Sequence, residues 1–228
     1  MAHAASARHG RRARGLRVPA VVMLVLSLAG CSGVPGVYVV EKAGRASSGA
    51  GGGGKFNATA YAEQVWASKV VPTAQKNAQD AATLLPALRA DQQGAGARYG
   101  KQAGAGSPYS FLIKGTGTVK DVTSGNAVGS IQLDVPGAGK TDVNLAIGPA
   151  FVGTAVRDAV GFIGFGQFNN QIDYADAAAA LNNKVKTTVV RGLDPASVKG
   201  KKVTFTGAFQ LVAPSSVMIT PITLEVAP

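Results

Sequence analysis

The sequence predicts an α+β fold, with N-terminal helices followed by a five-stranded, OB-like antiparallel β-barrel that carries a helical insert between strands 3 and 4. Three observations support this prediction. Apolar residues recur at helical spacing across residues 58–85. Five later stretches are rich in β-branched residues and are separated by glycine-containing turns. A second helical pattern separates the third of these stretches from the fourth, which is the element order of an OB-type barrel.

The chain begins with a pattern typical of a secretory leader. Five arginines and no acids precede the apolar run VPAVVMLVLSLAG at residues 18–30, which is shorter than the roughly 20 residues that span a bilayer. We therefore predict a lipoprotein signal peptide over residues 1–30. A twin-arginine export route is a weaker alternative, because Arg11 and Arg12 are not followed by the expected pattern.

The leader ends in Leu28-Ala29-Gly30-Cys31, which resembles the bacterial lipobox. Small residues before the cysteine suit the signal peptidase, and the thiol of Cys31, the one cysteine in the sequence, would take a diacylglyceryl group. The alternatives are a plain signal peptide with a coincidental cysteine and an uncleaved membrane anchor. Lipidation at Cys31 predicts a protein anchored to a membrane of the cell envelope, facing the periplasm or the cell exterior.

Removal of the leader limits the chemistry open to the mature chain. Both histidines, His3 and His9, lie in the leader, and Cys31 would be acylated. Catalytic triads, histidine bases and zinc sites built on His or Cys are thereby excluded. The formal charge of +11 falls to 18 − 12 = +6 once the five leader arginines are removed. We predict no cofactor and no metal.

The next segments are a tether and a helical region. Residues 31–55 comprise the lipidated N-terminus and a glycine- and serine-rich stretch, AGRASSGAGGGG, which predicts a flexible tether. Residues 56–107 are predicted as helices followed by a loop. Asn57 suits an N-cap, Phe56 can pack on Tyr61, and Pro72 can begin a second helix that continues to Leu85. Residues 94–107, rich in glycine and alanine, are predicted as the loop.

Residues 108–228 are predicted to form the barrel. Strands at residues 110–122, 127–135 and 140–149 are joined by short turns, which predicts an antiparallel meander. Helical patterns follow at residues 154–162 and from residue 172 to about residue 186. The last two strands are predicted at residues 201–212 and 216–226.

The string GAGKT at residues 137–141 resembles the end of a phosphate-binding loop. The complete motif needs a glycine five positions before Gly139, where this chain has Asp134, and it must be followed by a helix. We therefore predict a turn between two strands and no nucleotide ligand. The strands also offer few aromatic residues for stacking on bases, so no nucleic-acid partner is expected.

The candidate site lies in the insert, at Arg157, Asp158, Asn169, Asn170 and Gln171. Arg157 and Asp158 are adjacent, so on a helix they are expected to point apart and to pair with other groups. Three interpretations stay open. These side chains could satisfy backbone groups where the insert meets the barrel, they could form a polar pocket for a sugar-like or acidic ligand, or they could form a partner-binding surface.

The segment GPAFVGTAVRDAVGFIGFGQFNNQIDYADAAAALNNKV resembles the central block of a bacterial family of predicted periplasmic lipoproteins of unknown function. The segments FNATAYAEQVWASKVVPTAQKNA, SPYSFLIKGTGTV and GKKVTFTGAF resemble other parts of that family. Members of the family are often encoded beside sugar-type ABC importers. The resemblance implies an accessory role near such an importer or its solute-binding protein.

Two functions are therefore compared. The first is a non-enzymatic accessory or binding module that is anchored to the membrane through its N-terminal lipid. The alternative is a carboxylate-based envelope hydrolase that uses acids such as Asp158 and Asp173. A glycosidase needs two carboxyl groups about 5 to 9.5 Å apart across a cleft, and no motif in the sequence fixes such a pair.

Overall fold

The computed structural model describes residues 55–125 and 127–228. The predicted signal peptide, Cys31 and all of the predicted tether except Lys55 lie outside the described residues. Across the part of the chain that is described, no helix combines the length and apolar character needed to cross a membrane.

Four helices and a short strand precede the barrel. They are α1 (Ala58–Val65), α2 (Val71–Asn77), strand β1 (Gln79–Asp80), α3 (Ala81–Ala90) and α4 (Gln92–Tyr99), with a π-helical turn at Trp66–Val70 between α1 and α2. The start of α1 is as predicted, because the Asn57 side chain accepts a hydrogen bond from the Ala60 amide at 3.0 Å. Trp66 is buried and packs in the core.

Two predictions in this region are wrong. The second helix does not continue to Leu85, because the chain becomes extended at Ala78 and β1 pairs with the strand at Ile113 and Lys114. The first six residues of the predicted loop at residues 94–107 belong to α4. Gly96 lies within this helix, against the ring of Tyr109. A larger residue would clash there, because the ring comes within 2.6 Å of an ideal Cβ position.

Five strands close into a barrel: β2 (Ser110–Thr123), β3 (Val128–Asp134), β4 (Asp142–Pro149), β5 (Lys202–Gln210) and β6 (Ser216–Val226). Their order is β2-β3-β4-β6-β5, and β5 pairs back onto β2. This closed barrel confirms the OB-type architecture. The prediction of a purely antiparallel barrel is wrong for one pair, since β4 and β6 are parallel. A closed ring with an odd number of strands cannot alternate direction throughout.

Between β4 and β5 the chain forms α5 (Ala155–Ala159), a 3₁₀ turn at Phe165–Gln167 and α6 (Gln171–Lys184). A π-helical turn at Val185–Val189 extends α6. Helices α5 and α6 pack on each other, α6 packs on α1, and α5 packs on β2 and β5. Together, α1, α5 and α6 cover part of the outer face of the barrel.

The hydrophobic core has two parts because strand side chains alternate between the two faces of the barrel wall. Phe111 and Ile113 point into the barrel and pack with Phe205, Phe209 and α3. Leu112, Ala208 and Ile222 point outward and pack under α1, α5 and α6. The barrel is therefore filled by side chains, and the helical layer has its own apolar contact with the barrel wall.

The GAGKT string lies in the connection between β3 and β4, followed by a strand. Gly137 and Gly139 have positive φ angles of 80° and 69°, which glycine adopts readily. Ala138 between them is buried, and Lys140 is exposed. These residues form a hairpin connection rather than a phosphate-binding loop, because no helix begins after Thr141.

Candidate functional site

Arg157 and Asp158 form a buried ion pair at the centre of the insert. Arg157 donates from Nε to Asp158 Oδ1 at 2.7 Å, and each residue is only 6% exposed. The expectation that these neighbours pair with groups other than each other is therefore wrong for this contact. A charge buried away from water needs a counter-charge within reach, and the adjacent carboxylate supplies it.

The remaining polar atoms of the pair are bonded to α6 and to the start of α5. Thr154 donates its hydroxyl to Asp158 Oδ2 at 2.6 Å. Arg157 donates from Nη1 to the backbone carbonyl of Tyr174 at 2.9 Å, and the Tyr174 hydroxyl donates to Asp158 Oδ1 at 3.4 Å. This network therefore connects α5 to the first turn of α6.

Tyr174 also contacts the guanidinium through its ring. The Arg157 Cζ atom lies 3.4 Å from the ring centroid, within the range of a cation–π interaction. Burial raises the pKa of Tyr174, and the neighbouring Asp158 carboxylate adds to the increase, whereas Arg157 opposes it. Burial also raises the pKa of Tyr61, with a smaller contribution from Tyr174. Both shifts favour the neutral phenol over the phenolate.

The three amide residues lie at the surface, where α6 begins. Asn170 is the N-cap of α6, and its Oδ1 accepts from the Asp173 amide at 2.8 Å. The Nδ2 atoms of Asn170 and Asn169 lie 3.2 and 3.5 Å from Asp173 Oδ2. Gln171 is exposed in the first turn. The five predicted residues therefore divide by burial into a buried ion pair and a surface cap.

Five aromatic side chains form a continuous surface cluster beside the ion pair, which we call the aromatic face. Neighbouring ring centroids are 5.3–5.8 Å apart. None of the five belongs to the fully buried core, and Phe165 is 46% exposed. Its members are Phe56, Tyr61, Phe165, Phe168 and Tyr174. The face joins the beginning of α1 to the 3₁₀ turn and to α6.

The site predicted from the sequence lacked Thr154 and Tyr174, and of the aromatic face only the packing of Phe56 on Tyr61 was predicted. A signal for the face exists in the sequence, because Phe162, Phe165, Phe168 and Tyr174 crowd into 13 residues. Helical spacing alone could not identify the face, since its rings come from α1, a 3₁₀ turn and α6.

The Arg157–Asp158 pair is buried and hydrogen-bonded within the protein, so its charges are not presented to a substrate. Both carboxylate oxygens of Asp158 accept hydrogen bonds, and Asp173 is engaged at the α6 cap. Within residues 55–125 and 127–228, no three His, Cys, Asp or Glu side chains are grouped as metal ligands. A shallow groove of about 350 Å³ lies elsewhere, between Arg191 and the end of β6, and none of the five predicted residues lines it.

The strand order and the helical layer together define a protein of the OB-barrel class. A crystal structure of an OB-fold protein from Thermotoga maritima MSB8 is similar to this chain, with a TM-score of 0.64 and 22% sequence identity. The match covers 76% of this chain and 100% of that one. At this level of identity, the likeness shows the fold.

The chain belongs to the family described as "Predicted periplasmic lipoprotein (DUF2291)", which matches residues 21–225. None of the curated proteins matches the chain. The family is the one suggested by the resemblance in the central segment. Membership indicates a periplasmic lipoprotein of the cell envelope, which is consistent with the expected lipid-anchored location.

Proposed function

We propose that this lipoprotein is a non-enzymatic accessory or binding module, attached to its membrane through a lipid on Cys31. We further propose that its partner is a sugar-type ABC importer or the solute-binding protein of that importer. Family membership supports the envelope location. The importer is suggested by the gene neighbourhood that the family resemblance implies.

The observation that carries this proposal is the burial of the Arg157–Asp158 pair. A ligand-binding arginine or a catalytic aspartate needs access to its ligand, yet both side chains are buried and hydrogen-bonded within the protein. Their role in this proposal is to hold α6 in position. The partner then contacts the surface at the start of α6, where Asn169, Asn170 and Gln171 lie.

Ile172 gives this surface an apolar anchor. It is 72% exposed in the first turn of α6, directly after Gln171. A large apolar side chain among polar groups is a common composition for a protein-binding surface. Asp176, one helical turn later, is also exposed. The surface is thus suited to a partner that supplies an apolar contact and hydrogen-bonding groups.

The hydrolase alternative receives less support from this geometry. Asp158 would have to leave its contacts with Arg157 and Thr154 to act as an acid or a nucleophile. Asp173 serves the α6 cap through its backbone amide and its carboxylate. Asp158 is buried and so does not face an open cleft, as each of a pair of glycosidase carboxyl groups must.

Site-specific photo-crosslinking in living cells tests the proposal. A photoreactive benzoylphenylalanine replaces Ile172 in the full-length lipoprotein, and the control carries the same group at Met218 on β6, which is 45% exposed. We expect a crosslink from position 172, but not from position 218, to an importer subunit or its solute-binding protein. Equal labelling at both positions, or no importer component in the crosslinked product, would contradict the proposal.

A further inference from the structure

The aromatic face is only partly buried by the helical layer. Tyr61, Phe168 and Tyr174 pack partly on the helical core, whereas Phe165 leaves nearly half of its surface in solvent. We propose that the aromatic face contacts the lipid surface of the membrane to which the protein is anchored. This proposal rests on the proposed lipid anchor and not on the importer partner. The face adjoins the surface at the start of α6, because Tyr174 lies in the first turn of that helix.

The ring geometry favours a lipid surface over a stacked ligand. Phe168 lies at interplanar angles of 83°, 68° and 49° to Phe56, Tyr61 and Tyr174, and Phe165 lies at 70° to Tyr174. In such edge-to-face and tilted packing no two neighbouring rings are coplanar, so the cluster offers no extended flat platform for a stacked ligand. The guanidinium of Arg157 already lies over the ring of Tyr174.

An irregular aromatic surface suits the boundary between lipid headgroups and acyl chains. Aromatic side chains contribute a large apolar area there, and tyrosine keeps a hydroxyl for the wet side of the boundary. Tyr61 supplies a hydroxyl, since that of Tyr174 donates to Asp158, and the three phenylalanines supply the apolar area. This combination fits a lipid interface better than a dry protein core.

The position of the face along the chain agrees with this orientation. Phe56 lies next to Lys55, where the described part of the domain begins, and it packs on Tyr61 and Phe168. Only 56 − 31 = 25 residue steps separate Phe56 from Cys31. The face therefore lies at the point where the domain connects to the chain that carries the proposed lipid.

The charges around the face do not oppose contact with headgroups. Asp158 is paired with Arg157, and the Asp173 carboxylate lies within hydrogen-bonding distance of the Asn169 and Asn170 amides. Lys55 is exposed beside Phe56 and attracts anionic lipids. Contact would thus bury apolar surface while Asp158 keeps its counter-charge and Asp173 keeps its amide hydrogen bonds.

Depth-dependent fluorescence quenching tests the orientation. A cysteine labelled with the fluorophore NBD replaces Phe165 (Phe165→Cys) in the full-length lipoprotein, and the control variant is Val212→Cys, at a site that is 90% exposed in the turn before β6. Each variant is reconstituted into phosphatidylethanolamine–phosphatidylglycerol vesicles that contain doxyl-labelled lipid. The wild-type chain is the labelling control. If Cys31 is acylated, this chain has no free thiol and should take up no NBD.

We expect the label at position 165 to be quenched several-fold more strongly than the label at position 212, with emission shifted to shorter wavelength. Equal quenching at the two sites would overturn the proposal. Shielding of position 165 in native membranes but not in lipid vesicles would also overturn it, because the face would then contact a protein. Circular dichroism establishes that both variants are folded. The crosslinking at Ile172 reports a protein partner, whereas the quenching reports contact with lipid, so the two proposals can fail separately.

Discussion

At the scale of single residues, the insert depends on a buried charge pair. Arg157 and Asp158 are adjacent in sequence, yet together they contact Thr154 at one side and Tyr174 at the other. Burying such a pair offers little net stability compared with an apolar pair of the same size, but removing one partner leaves an unpaired buried charge. The pair therefore fixes where α6 lies on α5.

Replacing the arginine tests this role. We expect Arg157→Ala to lower the free energy of unfolding by about 3–5 kcal/mol, because Asp158 is left buried without its counter-charge. The control is Arg98→Ala, since Arg98 is exposed and contacts only the Tyr99 ring, 5.0 Å from its centroid; we expect it to cost about 1 kcal/mol or less. Urea denaturation measures both. Similar small losses would show that Arg157 does not hold the insert.

Stability should also fall at alkaline pH because of two tyrosines. The pKa values of Tyr61 and Tyr174 are raised above the ordinary value of 10.0, mainly by burial. A raised folded-state pKa means that the contribution is complete below the pKa of the unfolded chain and is lost as pH rises through the folded-state pKa. We expect the free energy of unfolding to decrease above about pH 10.

A tyrosine-free comparison isolates the cause of that decrease. The double variant Tyr61→Phe, Tyr174→Phe lacks both phenols and should show a flatter dependence of stability on pH above 10. Denaturant titrations at pH 8 and at several alkaline values give the measurement. An unchanged slope in the double variant would assign the alkaline loss to other groups.

At the scale of elements, the pairing of β5 with β6 requires a glycine. The register shifts between Thr206 and Gly207, and a Cβ atom at Gly207 would lie 2.5 Å from Ile219 Cγ2 and 2.7 Å from the Thr220 carbonyl oxygen. We expect Gly207→Ala to destabilise the fold by about 1–3 kcal/mol through overpacking.

Gly164 provides the matched control for that prediction. It precedes the 3₁₀ turn with an ordinary φ of −110°, and no atom lies within 4 Å of its ideal Cβ position. Gly164→Ala should therefore be neutral or stabilise the protein by a few tenths of a kcal/mol. Thermal unfolding distinguishes the two variants, and equal melting temperatures would contradict the close approach at Gly207.

Elements whose cause is local could be predicted from the sequence. Asn57 caps α1 and Asn170 caps α6 through hydrogen bonds to amides three residues later, which is a pattern that short segments show. The unbroken apolar run Phe111, Leu112 and Ile113 likewise indicates a strand with two buried faces. Turn residues then limit where each strand can end.

Features that depend on distant contacts could not be predicted. The helix break at Ala78 arises because Gln79 and Asp80 pair with a strand more than 30 residues later. Helix α4 packs against the ring of Tyr109 at Gly96. Strand β6 runs parallel to β4, with which it pairs. The sequence identified Arg157 and Asp158 as unusual, but only burial under α6 shows that they pair with each other.

At the scale of the whole molecule, a filled OB barrel carries a helical layer and belongs to a family of periplasmic lipoproteins. The barrel serves as a rigid support, while the helical layer presents two surfaces. The start of α6 is proposed to meet a protein partner, and the aromatic face is proposed to meet lipid. Both proposals depend on attachment of the chain to the membrane at a defined residue.

Metabolic labelling of Cys31 is the most direct test of that attachment. Cells expressing the full-length protein or the Cys31→Ser variant are grown with an alkyne analogue of palmitate, and the membranes are then washed at high salt. We predict that the wild-type protein incorporates the analogue and stays in the membrane fraction, whereas Cys31→Ser incorporates none. Equal labelling of the two proteins, or a wild-type protein that salt removes from the membrane, would contradict a lipid anchor at Cys31.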